Sequence, residues 1–444
     1  MFKILNNKNI KRLFLILLSI FFIELLSKFY WYQPNYSGDW TTHLHYLRAV
    51  TFNLVIENNT WPEWVYAPWH YFISAYLFGP IIYLLKVLNF YNLDNPGFSS
   101  MYVFLISILF YQIIMCLGTI RLGKKLFKEN KSIILFTSLI CVIPFMNKST
   151  FNYTVENFAL SLFPWFLFYL LNYFDKDKIK DLIKFSIIFG FFASNKMNHL
   201  LPGLVIIFFL ISCFFVKNKF INYKLIFLPI LSTSILLIIS HILQDSWIWD
   251  NSDIRNSGKG YADIPVFSVF YTVNIIDAFN NALSPQQNYS MINQWLIDFF
   301  GDYYSTFTKS WINPNYSEPF ALKINKIGLL SGIVFFIWFF LSFINLLIRN
   351  KFDLFNQLNL QLSLLSFLIF PFYICYSFFV FNETTTNSFD LRYTGYLGYF
   401  IIYSLIYQLE LRDNKLMKNV TQVLSIFFIL VSLGLLFSFH YINY

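Results

Sequence analysis

Residues 69–90 read WHYFISAYLFGPIIYLLKVLNF, and whether they cross a membrane decides the arrangement of the whole chain. The stretch is long and apolar enough to span, since a hydrocarbon core of about 30 Å needs roughly 20 apolar residues per helix. Against a crossing stand Gly79-Pro80 at its centre and Lys86 near its end. We read it as an interfacial or re-entrant helix within a long first external segment, 31–98. Twelve spans rather than eleven is the alternative.

The other apolar runs are 12–30, 99–120, 132–148, 155–173, 182–195, 198–216, 224–243, 327–348, 358–381, 393–410 and 420–440. The chain is 57% hydrophobic and only 12% charged, which leaves too little polar surface to cover a soluble body of 444 residues. Lipid-exposed backbone must satisfy its own hydrogen bonds, so all-round apolar runs are expected as helices and not as open strands. The expected fold is an all-α polytopic membrane protein, one integral domain over 1–444 with about 11 transmembrane helices. Interfacial helices are expected in 31–98, and short surface helices in a second large external segment, 244–326.

Sidedness comes from the basic residues. Of 32 Lys and Arg, 21 fall in six short stretches: Lys3–Arg12, Arg121–Lys131, Lys176–Lys184, Lys217–Lys224, Arg349–Lys351 and Arg412–Lys418. The positive-inside rule places these in the cytoplasm, with the N-terminus inside and the C-terminus outside. The net charge of +9 is thereby a topology signal, and nucleic acid is not an expected partner. Cys116, Cys141, Cys213 and Cys375 sit far apart inside apolar runs and read as small core residues.

Under this topology the conspicuous polar residues fall on the external face. Asp39 and His43 are four apart, hence on one face if a helix begins there. Asp39 could take a proton from an incoming hydroxyl, or simply cap the helix that follows. Trp61, Trp64 and Trp69 around Pro62 and Pro68 fit an interfacial anchor. Glu156 opens the fourth run; it could serve a substrate or cap its own helix. Lys196 stands in the polar island Ala193-Ser194-Asn195-Lys196-Met197-Asn198-His199, on the side otherwise poor in lysine. It could snorkel to the surface or hold a phosphate. Arg392, in Asp390-Leu391-Arg392-Tyr393, suits bidentate phosphate recognition or a local pair with Asp390. No GxxxxGK[ST], GxSxG or HExxH motif occurs.

The ordered series of these elements resembles the GT-C superfamily of membrane glycosyltransferases, in particular the branch of protein O-mannosyltransferases and lipid A aminoarabinose transferases. Gly38-Asp39-Trp40-Thr41-Thr42-His43 matches the acidic residue and nearby His that follow the first span in that branch. Tyr66-Ala67-Pro68-Trp69-His70-Tyr71 matches its proline-aromatic stretch before an interfacial helix. Leu117-Gly118 through Lys124-Lys125-Leu126-Phe127 matches its basic turn. Glu156, Lys196 and Arg392-Tyr393 follow in the family's order. Many relatives carry two adjacent acids where this chain has Asp39 followed by Trp40, so a bridging divalent metal is not supported by a paired acidic motif.

The resemblance implies a GT-C-like bundle that transfers a sugar from a polyprenyl-phosphate-linked donor to a lipid, glycan or protein acceptor, inverting the anomeric centre. It implies Asp39 as catalytic base, Lys196 and Arg392 as donor-phosphate ligands, and His43, Glu156 and His199 as substrate-orienting residues. A bacterial inner membrane is the expected location, with the active site facing the periplasm or exterior. Two other classes fit the composition. An O-antigen-type polymerase or ligase usually leans on several external arginines, whereas only Arg48, Arg255 and Arg392 are external here. A lipid or sugar transporter would carry polar groups at mid-depth in several spans.

Overall fold

The computed structural model describes residues 8–31, 69–88, 96–146, 155–218, 223–244, 273–280, 282, 291–301, 314–350, 353, 357–368, 395–411 and 415–441. Every one of the eleven apolar runs is built on a helix over its described part. In chain order these are α1 (Lys8–Trp31), α2 (Trp69–Val87), α3 (Pro96–Leu126), α4 (Asn130–Val142), α5 (Val155–Lys176), α6 (Ile179–Ser194), α7 (Met197–Asn218) and α8 (Lys224–Gln244). Then follow α9 (Ile275–Asn280), α10 (Met291–Asp298), α11 (Pro314–Arg349), α12 (Leu358–Leu365), α13 (Gly398–Ile406) and α14 (Lys415–Tyr441). Six of the described helices are long and apolar enough to cross a bilayer, within α3, α5, α7, α8, α11 and α14. The protein is an all-α polytopic membrane protein. The stretch 69–90 forms one 19-residue helix that runs through Pro80.

The chain divides into two compact units. The first comprises Met1–Leu122, Ser149–Ile207 and Ile221–Ser257. At its centre α5 and α6 form an antiparallel hairpin, reversed over a turn in which Asp177 takes a positive φ of 49°. Phe163, Phe166, Phe185, Phe189 and Phe192 stack between the two helices. These rings recur at helical spacing on one face of each helix, which is why an apolar sequence packs here in a single register. On its other side α6 meets α8, where Gly190 lets Ser232 approach more closely than any side chain would permit. Along its length α8 also exposes Phe227, Ile230, Ile238 and Ile242. An apolar stripe turned outward is stable only against lipid.

The hairpin has two chemically different ends. At one, Arg121 lies 4.7 Å from the Phe168 ring and Lys184 5.0 Å from the Tyr169 ring, beside the lysine turn 176–184. At the other, α5 carries Glu156 in its first turn and α6 runs out towards Lys196. Glu156 to Lys176 is 21 residues of helix, or about 30 Å, the thickness of a hydrocarbon core.

The second unit comprises Gly123–Lys148, Phe208–Phe220 and Gly258–Tyr444. Its axis is α11, which begins at Pro314, ahead of the apolar run that opens at Ile327. At 36 residues it is about 54 Å long and must extend beyond the hydrocarbon. Residues 244–326 contribute α9 and α10, and both pack on α11 around Ala278, Ala282, Ile297 and Leu329. Gly328 makes this contact close: a Cβ there would stand 2.6 Å from the backbone nitrogen of Gly301. At one end of the unit the Glu410 carboxylate accepts hydrogen bonds from the backbone N–H groups of Lys128 (3.2 Å) and Glu129 (3.1 Å). Lys131 donates to Gln422 there, and Arg349 reaches the same end through Asn345 and Gln408. Three of the basic stretches read as lying on one side of the membrane thus meet at one end of this unit.

Candidate functional site

The site is built from the non-lysine end of the α5–α6 hairpin. Glu156 lies in the first turn of α5, where a carboxylate is favoured by the unpaired N–H groups of the helix start. Lys196 lies in the two-residue break between α6 and α7, and its carbonyl accepts from the backbone N–H groups of His199 (2.9 Å) and Leu200 (3.1 Å). That bonding closes the first turn of α7 and fixes Lys196 as the hinge between the two helices.

Lys196 Nζ and Glu156 Oε1 are 2.7 Å apart, and each side chain is only 5% exposed. The snorkelling lysine is therefore excluded: the ammonium points inward, to a carboxylate 40 residues upstream. Neither charge would be stable there alone, since an unpaired ion in so dry a place costs several kcal/mol. Asn157, Asn195 and His199, close to the pair in sequence, are buried as completely. The His199 ring lies 5.4 Å from that of Phe192 and within electrostatic reach of both charges.

A further wall comes from α2. Trp69 Nε1 donates to Ser194 Oγ at 3.0 Å, and its ring meets Phe191 edge-on at 5.5 Å. His70, fully buried, has its ring stacked 6.5 Å from that of Phe158, two residues after Glu156. The carbonyl of His70 accepts from Tyr111, whose hydroxyl also bonds Ser74 at 3.0 Å. Reading the sequence placed Trp69 among the interfacial anchors and gave His70 no role. The available signal was their position directly after Pro68, at the start of an apolar helix.

Of the six residues expected in the site, the fold brings Glu156, Lys196 and His199 together. Asp39, His43 and Arg392 lie outside the described residues. Among the described residues no group of three His, Cys, Asp or Glu side chains could hold a metal ion. Chemically, the arrangement offers one buried cation whose charge is balanced by a carboxylate, at one end of a helix long enough to span a bilayer.

No curated protein matches the chain. Residues 90–243 match the family model described as dolichyl-phosphate-mannose-protein mannosyltransferase. The matched stretch contains Glu156, Lys196 and His199 and covers a little over a third of the chain. The match agrees with the order of motifs in the sequence and supports a membrane glycosyltransferase of the GT-C superfamily.

Proposed function

We propose that this glycosyltransferase moves a sugar from a polyprenyl-phosphate-linked donor to an acceptor at the non-cytoplasmic face of a bacterial inner membrane. One observation carries the reading: a buried, ion-paired lysine at the end of the α5–α6 hairpin opposite its lysine-rich turn, within the stretch that matches the mannosyltransferase family. About 30 Å of helix separates the two ends.

In this reading Asp39 takes the proton of the acceptor hydroxyl as its oxygen attacks the anomeric carbon. The bond from that carbon to the donor's phosphate oxygen breaks, and the electron pair leaves on the phosphate. Lys196 and Arg392 stabilise the charge that grows there; such preorganised donors are usually the largest single contribution to catalysis. Glu156 holds the Lys196 ammonium in place, and His43 and His199 orient sugar or acceptor. A single displacement inverts the anomeric centre.

The test is transfer of radiolabelled mannose from dolichyl- or undecaprenyl-phosphate mannose in membranes containing the protein. Asp39→Asn and Lys196→Met should each abolish transfer at normal expression. Full transfer by both variants would overturn the assignment.

A further inference from the structure

Trp69 and Ser194 are joined by a hydrogen bond of 3.0 Å between two fully packed side chains, 125 residues apart in sequence. Ser194 is the last residue of α6, two before Lys196; Trp69 is the first of α2. Around this bond the rings close a continuous chain. Trp69 meets Phe191 at 5.5 Å, Phe191 meets Phe158 at 6.5 Å, and Phe158 meets His70 at 6.5 Å. Phe158 is on the first turn of α5 with Glu156. The start of α2 is thus fastened on both sides of the ion pair: to the helix carrying Glu156 and to the residue leading into Lys196.

From this geometry we infer that the Trp69–Ser194 bond is a positioning latch for Lys196. Lys196 sits in a break between helices, where the backbone lacks the regular ladder that holds its neighbours. A bond two residues upstream limits how far that break can move. The latch also ties the start of α2 to the pair. Trp69 and Ser194 are positioning residues: they act through Lys196 and need not touch substrate. This inference rests on the reading of Lys196 as the donor-phosphate ligand.

The test uses full-length protein in detergent or proteoliposomes, with Trp69→Phe, Ser194→Ala, Ser194→Thr and the double variant Trp69→Phe/Ser194→Ala. Phenylalanine keeps the ring contact with Phe191 but removes the N–H donor; threonine keeps the hydroxyl acceptor. The first readout is acylation of Lys196 by a small amine-reactive ester, quantified by mass spectrometry against the lysines of the 176–184 turn. Trp69→Phe and Ser194→Ala should raise Lys196 labelling about fivefold or more, the double variant no further, and Ser194→Thr should restore protection. The second readout is mannosyl transfer from dolichyl-phosphate mannose. The same two variants should lower kcat by roughly tenfold or more with KM nearly unchanged, since small misplacement of a charged ligand acts on the transition state.

Unchanged Lys196 labelling in Trp69→Phe and Ser194→Ala would overturn the latch, as would equal loss in Ser194→Thr. Labelling that changes as expected while Lys196→Met still transfers sugar would uphold the latch and overturn the phosphate role of Lys196.

Discussion

The Glu156–Lys196 pair admits a quantitative test. Lys196→Met removes one partner and leaves a carboxylate only 5% exposed with its bonded cation gone; Glu156→Leu does the reverse. Breaking a buried pair from one side costs about 3–5 kcal/mol, because the survivor is a buried charge that has lost its counter-ion. If the two changes acted independently, the double variant would lose about 6 kcal/mol or more. The structure predicts otherwise. Two apolar side chains of similar volume can pack where the pair was, so the double variant should lie within about 1 kcal/mol of the parent. The assay is reversible unfolding in mixed micelles, with the denaturant dependence checked to be the same for all four proteins. A double variant as unstable as the sum of the single ones would refute the reasoning. So would single variants within about 0.5 kcal/mol of the parent, the behaviour of a solvated surface pair. Sugar transfer should be absent from the double variant despite its restored stability, which separates holding the fold from doing the chemistry.

Gly332→Ala should loosen the docking of α10 on α11, because the added methyl would collide with the Leu296 carbonyl; a loss of about 1–3 kcal/mol by the same unfolding assay is expected. Glu410→Ala removes the shared acceptor of the Lys128 and Glu129 N–H groups ahead of α4 and should cost about 1 kcal/mol, with transfer unchanged. Single cysteines at positions 178 and 152 should react with a membrane-impermeant maleimide from opposite sides of sealed vesicles, and labelling of both from one side would overturn the topology.

Much of this architecture is legible in the residues because it follows from solvent alone. Runs such as 327–348 have nothing but lipid or protein to face, so they must be helical, and α11 is. The lysine turns likewise announced which helix ends belong together: Glu410 bonds the Lys128–Glu129 turn, and Arg349 reaches the same end of the second unit through Asn345 and Gln408. The helical start of α11 at Pro314 was not legible, because residues 314–326 contain polar groups that a hydropathy reading assigns to a loop.

The candidate site was legible only as separate suspects. Lys196 is conspicuous as a cation on a side poor in lysine, and Glu156 as an acid at the mouth of an apolar run. Nothing in either local stretch states that they bond each other, since the chain must fold back as a hairpin over a separation of 40 residues to bring them within 2.7 Å. The snorkelling alternative for Lys196 could be dismissed only once its burial was known. Trp69 was missed as part of the site because an aromatic beside prolines is the usual mark of a membrane interface. Only the docking of α2 on α6 gives its indole a specific partner.

Taken alone, the sequence determined that the chain is a bundle of membrane helices and which helix ends carry its lysines. It could do so because hydropathy and the placement of lysine depend on contact with lipid and water, not on neighbours. Tertiary structure decided which charges meet and which aromatics fasten them. Those contacts depend on the crossing of α5, α6 and the start of α2, and a close approach between distant residues leaves no local trace in the order of amino acids.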